Sequence, residues 1–269
     1  MSLTGTPRGA DVPRSILVVI PTYDEAENVL AVLERIHRSA PGVHVLVVDD
    51  RSPDGTGDRV REYARHRTDT FLETGRAKTG LGTAYRTGFG WALARDYDAI
   101  VQMDADLSHP PEQIPALVAA LVDHDVAVGS RYVEGGRVDD WKRSRRLVSR
   151  AGNRYVRIVL RLPVSDATAG FKAWRRQALI GIGAVESTSN GYCFQIENTW
   201  RASRLGLRIA ELPITFMDRD AGESKMSGKI ALEAVTRVLA WRLGELSGCR
   251  PARVSPGSRT ASDERMRVR

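Results

Sequence analysis

The stretch SILVVIPTYDEAENVLAVLERIHRSAPGVHVLVVDD, Ser15 to Asp50, decides the fold. Ile16 to Ile20 is a β-branched apolar run that stops at Pro21, and Val43 to Val48 is a second run that stops at Asp49-Asp50. Short runs of this kind, bounded by turn-forming residues, are the signature of buried strands. Between them, from Glu25 to Ser39, Val29, Val32, Leu33 and Ile36 recur at helical spacing and share one face. A strand, a helix and a strand in that order make a right-handed crossover, and the two strands are then parallel.

The alternation continues outward. It predicts a helix near Asp54 to Ala64, a short strand near Thr70 to Glu73 and a helix near Leu81 to Arg95. The strand Ala99 to Met103, a helix near Gln113 to Val122 and the strand Val126 to Gly129 follow. The pattern is that of an α/β, Rossmann-like, doubly wound nucleotide-binding sheet. The first strand is followed by PTYDE and not by G-x-G-x-x-G, which disfavours a dinucleotide dehydrogenase. Gly80, Gly82 and Gly88 surround the start of a later helix and read as turn and packing glycines.

Beyond Arg131 the pattern changes to helices at about Arg143 to Leu162 and Tyr192 to Leu205, with short strands near Phe171 to Trp174 and Leu207 to Pro213. A long helix closes the domain at about Ser227 to Leu246, with Leu232, Val235, Leu239, Leu243 and Leu246 on an apolar face beside a charged stripe of Lys229, Glu233 and Arg237. We expect one folded domain over residues 15–249, a disordered Gly/Pro/Ser-rich segment over 1–14 and a disordered basic tail over 250–269. The second half is expected to shape the acceptor side.

With 269 residues, 42% hydrophobic, the chain has enough apolar content for a substantial core. No stretch reaches the ~20 apolar residues that span a bilayer, and the first fifteen residues contain no apolar signal core. Two cysteines, Cys193 and Cys249, stand in no metal-ligand spacing, which argues against a disulfide framework and fits a reducing, cytoplasmic setting. Forty Lys and Arg against 33 Asp and Glu favour an anionic partner. Much of that charge lies in Trp141-Lys142-Arg143-Ser144-Arg145-Arg146 and in the tail, without any nucleic-acid-binding pattern, so no nucleic-acid partner is expected.

The hexapeptide DADLSH, Asp104 to His109, follows the apolar run Ala99 to Met103. Two carboxylates at i and i+2, at the carboxyl end of a buried strand, suit one hard divalent cation that also holds a diphosphate. Acidic pairs in surface loops are common, so the reading depends on the company it keeps. That company is PTYDEAEN (21–28), VVDDRSPDGT (47–56), QMDADLSHP (102–110), GSRY (129–132) with Gly135-Gly136, KRSRRLVSRAGN (142–153), DATAGFK (166–172) and RDAGESKM (219–226). In this order and spacing the chain resembles family 2 glycosyltransferases of the GT-A fold, and more closely the polyprenol- or dolichol-phosphate mannose synthases, over about Ser15 to Leu246.

The resemblance implies a set of roles. Asp104 and Asp106 would hold Mg²⁺ or Mn²⁺; Ser108 stands where the family often has Gln, so its direct ligation is the weaker part of that set. Pro21, Tyr23, Glu25, Val48, Asp50 and Ala105 would line the nucleoside and ribose of GDP-mannose, although an acid such as Glu25 in a first helical turn is also stabilised by the helix dipole. Arg131 and Arg145, with Ser149, would hold the acceptor phosphate, and Arg219 and Lys225 would reach the donor diphosphate. Asp166 would orient sugar hydroxyls, and Gln195 and Glu197 would support a helix beside the site. From charge alone, the KRSRR run reads first as a solvated basic face; the flanking Gly135-Gly136 and the matching family segment reverse that preference for Arg145 but not for its neighbours.

The activity implied is inverting transfer of mannose from GDP-mannose to a polyprenyl (dolichyl-type) monophosphate. A phosphate monoester is already an oxyanion near neutral pH, so no dedicated strong base is required. Three other readings are carried: transfer of glucose or another hexose from a UDP-sugar to the same lipid, a sugar-1-phosphate nucleotidyltransferase, and a non-catalytic membrane-surface scaffold. The nucleotidyltransferase would show a Gly-rich basic turn after the first strand, which PTYDEAEN lacks. Because the acceptor lies in a bilayer, the basic tail and the amphipathic segments around Val156 to Leu162 and Ile230 to Leu246 suggest peripheral attachment at the cytosolic face, or an integral-membrane anchor protein.

Overall fold

The computed structural model describes residues 11–217 and 228–247, with side chains from 233 onward in the second segment. Its elements, in chain order, begin with β1 (Ile16–Thr22), α1 (Val29–Ser39), β2 (His44–Asp49), α2 (Thr56–Ala64), β3 (Thr70–Thr74), α3 (Leu81–Leu93) and β4 (Ala99–Gln102). A 3₁₀ turn at Pro111–Gln113 leads into α4 (Ile114–Ala120), β5 (Val126–Ser130), β6 (Arg137–Val138) and α5 (Arg143–Leu160). The remainder is β7 (Lys172–Arg175), α6 (Arg176–Gly181), α7 (Gly191–Arg204), β8 (Ile209–Pro213), β9 (Thr215–Phe216) and α8 (Gly228–Leu246).

Seven strands form one sheet in the order β3-β2-β1-β4-β7-β5-β8, and β6 pairs with β9 in a small second sheet. The expected mostly parallel sheet is present, with one reversal: β7 runs antiparallel to both β4 and β5. Its first residue, Lys172, pairs with Gln102 on one side and Val128 on the other. The loop entering β7 therefore arrives at the carboxyl ends of β4 and β5, where a parallel strand would have delivered its amino end to the opposite edge. Strands β1 and β2 are apolar on both faces because helices cover both. Val18, Ile20, Val45 and Val47 face the layer of α1 and α4, while Leu17, Val19, Leu46 and Val48 face that of α3 and α7.

The element boundaries correct the sequence reading in one informative place. Helix α1 starts at Val29, four residues later than expected, because residues 24–26 are tied sideways. Asp24 takes a left-handed φ of 58°, and the amides of Asp24, Glu25 and Ala26 donate to Ser52 Oγ, Thr56 Oγ1 and Asp54 Oδ2. Glu25 thus precedes the first turn of α1, and its carbonyl accepts from the Asn28 and Val29 amides at 3.1 and 2.9 Å. The packing role of the early glycines holds: a Cβ on Gly88 would lie 2.3 Å from Val19 Cγ1, and one on Gly82 would lie 2.4 Å from the Ser189 carbonyl. Ordered contacts reach back to Arg14, whose amide donates to Asp98 together with that of Ser15.

Candidate active site

The carboxyl ends of β1, β2 and β4 each turn through a non-glycine residue of positive φ: Asp24 (58°), Arg51 (58°) and Leu107 (62°). Such residues cost about 1–3 kcal/mol apiece and persist where surrounding contacts enforce them. At Leu107 the turn folds Ser108 back onto Asp106, whose Oδ1 accepts from the Ser108 hydroxyl at 2.5 Å and from its amide at 3.1 Å. Ser108 is buried and orients that carboxylate.

Asp104 is half-buried; its Oδ1 accepts from the Tyr85 hydroxyl at 3.0 Å. Burial, and then the Asp104 charge, push the Tyr85 phenol well above its ordinary pKa, so Tyr85 stays a donor. The Asp104 amide donates to His109 Nδ1 at 3.1 Å, which orients the ring. His109 is held in turn on the face of Phe171, with ring centres 5.3 Å apart. Gly170 closes this side: a Cβ there would stand 3.2 Å from Asp104 Oδ2 and 3.1 Å from His109 Cε1. Two carboxylates on one turn, with a glycine where a side chain would crowd Asp104 Oδ2, fit a hard divalent cation held by Asp104 and Asp106. Among the described residues no third His, Cys, Asp or Glu joins them.

On the donor side, Pro21 and Val48 are buried at adjoining strand ends, paired in register across β1 and β2. Tyr23 and Glu25 are half-buried in the turn that follows, and Glu25 accepts from the Asn28 side chain at 3.0 Å. Asp50 is 5% exposed and anchors the loop of residues 75–80: its oxygens accept from the Thr79 amide and hydroxyl, both at 2.9 Å, and from the Gly80 amide at 2.7 Å. That loop carries Lys78, whose Nζ lies 3.6 Å from the centre of the Tyr23 ring. Ala105 is buried between the two aspartates. Arg219 and Lys225 lie outside the described residues.

Arg131 follows β5 and is buried against Asp166, with Nε and Nη2 each 2.7 Å from a carboxylate oxygen. The Arg131 amide and the Thr168 hydroxyl also engage this pair. Burial alone would raise the Asp166 pKa, but the Arg131 charge and hydrogen bonds prevail and hold it below the ordinary value. The fully buried Asp166 orients Arg131 from behind; it has no path to a sugar hydroxyl, which corrects the sequence expectation. Arg131 lines two adjoining cavities of about 450 and 630 Å³, whose far walls carry Arg146, Arg150, Arg154 and Arg157 of α5. These follow one another by three or four residues, so they form one stripe along the helix. Arg145 is half-buried with its guanidinium carbon 4.1 Å from the Trp141 ring centre, and Ser149 Oγ accepts from the Tyr132 hydroxyl at 2.6 Å.

The structure adds residues that the sequence did not single out. Behind the acidic pair, Gln102 donates to the Gly170 carbonyl at 3.0 Å and to Gln195 Oε1 at 2.6 Å. Lys172, fully buried, donates to Gln195 O, Gln195 Oε1 and Thr199 Oγ1. Burial pulls its pKa down to about 7 against the pull of Asp166. Gln195 supports the site from α7 as expected, whereas Glu197 pairs with Arg201 and the Ser189 amide. Tyr85 and Phe194 stack at 5.7 Å, an aromatic pair visible only as separate apolar positions in the sequence.

A family model described as "Glycosyl transferase family 2" matches residues 17–183. The undecaprenyl-phosphate mannosyltransferase of Micrococcus luteus is 47% identical over 228 residues, covering 85% of this chain and 94% of that protein. The polyprenol monophosphomannose synthase of Mycolicibacterium smegmatis is 46% identical over 235 residues, covering 84% of this chain and 86% of that protein. In fold, the chain is similar to the mannosyltransferase of Pyrobaculum calidifontis solved with GDP-Man and Mn²⁺, with a TM-score of 0.56 at 19% identity, covering 94% of this chain and 69% of that one.

Proposed function

The chain belongs to glycosyl transferase family 2, and from that premise we propose that it transfers mannose, with inversion, from GDP-mannose to a polyprenyl monophosphate. The observation that carries this reading is the placement of an acidic pair at the end of β4 and an arginine-walled cavity at the end of β5, on one edge of the sheet. One end suits a nucleoside diphosphate, the other a second anion. The relatives that are 46–47% identical support mannose and a polyprenyl phosphate as the two substrates.

Asp104 and Asp106 are the residues that would hold Mg²⁺ or Mn²⁺, which when bound offsets the charge that grows on the departing diphosphate. Tyr85 and Ser108 hold those carboxylates in place. Pro21, Tyr23, Glu25, Val48 and Ala105 form the nucleoside pocket, and Asp50 shapes its wall by anchoring the 75–80 loop. Arg131, fixed by Asp166, and Arg145 position the acceptor phosphate with Ser149; Arg219 and Lys225 reach the donor diphosphate. The acceptor oxyanion attacks the anomeric carbon in line, and the chain supplies orientation and charge rather than a base.

The second anion is lipid-linked, so the protein works at a membrane surface. Among the described residues no helix is long and apolar enough to cross a membrane. Leu147, Val148 and Ile158 are 55–70% exposed on α5, the helix that carries the arginine stripe. Val235, Leu239, Leu243 and Leu246 form an exposed row on α8. Apolar side chains and arginines on the same helix fit an anionic leaflet.

The deciding assay measures lipid-linked product from GDP-mannose and from UDP-glucose on the same polyprenyl phosphate. Mannose transfer giving the β-anomer is expected; preference for UDP-glucose, or retained configuration, overturns the assignment. Flotation with anionic liposomes tests the membrane reading, and no association would point instead to an integral-membrane anchor protein.

A further inference from the structure

Two aromatic rings link the acceptor-side arginines to the loop that carries the acidic pair. Trp141 stands just before α5, 9% exposed, with its ring centre 4.1 Å from the Arg145 guanidinium carbon. Phe216 of β9 meets Trp141 edge-on at 5.5 Å and 75°. The Arg131 guanidinium carbon lies 5.3 Å from the Phe216 ring centre and 5.7 Å from that of Trp141. Phe216 also meets His109 at 5.6 Å and 72°, and His109 is the ring that accepts the Asp104 amide. The backbone repeats the connection: the Asp139 amide donates to Phe216 O at 2.9 Å, and the Met217 amide donates to Ser108 O at 3.3 Å.

We propose that Trp141 and Phe216 are positioning residues, a wedge that holds Arg131 and Arg145 in register with the Asp104–Asp106 loop. The proposal rests on the reading that these arginines hold the acceptor phosphate. The Arg131 and Arg145 guanidinium groups both lie near the Trp141 ring, at 5.7 and 4.1 Å, and like charges placed so repel each other; Asp166 in addition pairs with Arg131. The negative faces of aromatic rings attract guanidinium groups without competing as anions, so the acceptor phosphate still finds the positive charge it needs. Trp and Phe also have two side-chain torsions each, so the platform loses little freedom when the site orders. Trp141 Nε1 is buried and has no hydrogen-bond partner among the described residues.

Steady-state kinetics on the full chain, with GDP-mannose, Mn²⁺ and a polyprenyl phosphate in detergent, test the wedge. Trp141→Leu should raise the acceptor KM about tenfold while the donor KM stays within about twofold. Trp141→Phe keeps a ring face and should restore the acceptor KM to within about threefold of wild type. Arg145→Gln is the benchmark, and adding Trp141→Leu to it should raise the acceptor KM by less than the about tenfold seen in the wild-type background, because only the hold on Arg131 is left to lose. Phe216→Leu is the second route to the same result if Trp141→Leu fails to fold. If Arg145→Gln leaves the acceptor KM unchanged, the acceptor reading itself falls. If Arg145→Gln raises it while the Trp141 and Phe216 variants do not, the acceptor reading stands and the wedge is overturned. Equal rises in donor and acceptor KM with a lower melting temperature would likewise overturn it, as the mark of a structural role.

Discussion

Replacing Lys172 by methionine deletes an ammonium group that the folded chain surrounds completely. Burial lowers its pKa from the ordinary 10.5 to about 7, against the opposing effect of Asp166. Below about pH 7 both the folded and the unfolded chain carry the proton, and the desolvation cost is constant. Between about 7 and 10.5 the unfolded chain binds more proton than the folded one, so stability rises with pH. For one group with these two values, the gain from pH 7 to pH 9 is about 2 kcal/mol. Methionine retains most of the stem volume and cannot titrate. It leaves Gln195 Oε1 its bond from Gln102, and Gln195 O its bond from the Thr199 hydroxyl. Urea unfolding followed by tryptophan fluorescence at pH 7, 8 and 9 should therefore show the wild type gaining about 2 kcal/mol more than Lys172→Met. Parallel pH dependence in the two proteins would refute the account of Lys172.

Three further outcomes are expected. Asp104→Asn and Asp106→Asn should each abolish turnover at any Mn²⁺ concentration while melting stays near wild type; metal-dependent activity surviving the double change would defeat the assignment of these ligands. Asp166→Asn strands the Arg131 charge in the interior, so urea unfolding should show a loss of about 3–5 kcal/mol, and an unchanged midpoint would show that the pair carries no such strain. Gly170→Ala puts a methyl group 3.2 Å from Asp104 Oδ2 and should raise the Mn²⁺ half-saturation about tenfold with little change in melting. An unaltered metal titration would mean that the Gly170 side of Asp104 is not used.

The strands were legible wherever β-branched runs ended in turn residues, as at Ile16 to Ile20 and Val43 to Val48. The direction of β7 was not, because the composition of Phe171 to Trp174 is the same whichever way the strand runs. Asp104 and Asp106 could be picked out because their spacing and strand position are local facts. The role of Asp166 was missed because its partner, Arg131, lies 35 residues away and the pairing depends on the reversal of β7. His109 stood inside the quoted motif, yet its use depends on Phe171 and Phe216, which only the folded chain brings to it. Asp50 was read as part of the nucleoside pocket; its hydrogen bonds to Thr79 and Gly80 come from a loop nearly thirty residues later, and no local pattern announces them.

The reversed strand also sets an order on assembly. β4 and β5 are made before β7, yet neither pairs directly with the other, and β7 must slot between them. Until residue 175 has left the ribosome, two apolar strand edges stand open side by side, the kind of surface that recruits neighbouring chains. Closing that gap brings together residues far apart in sequence, such as Gln102 and Gln195, and such non-local contacts slow folding. The centre of the sheet and the catalytic edge should therefore gain protection in one late step, which pulse-labelled hydrogen exchange would record as β4, β5 and β7 amides protected together.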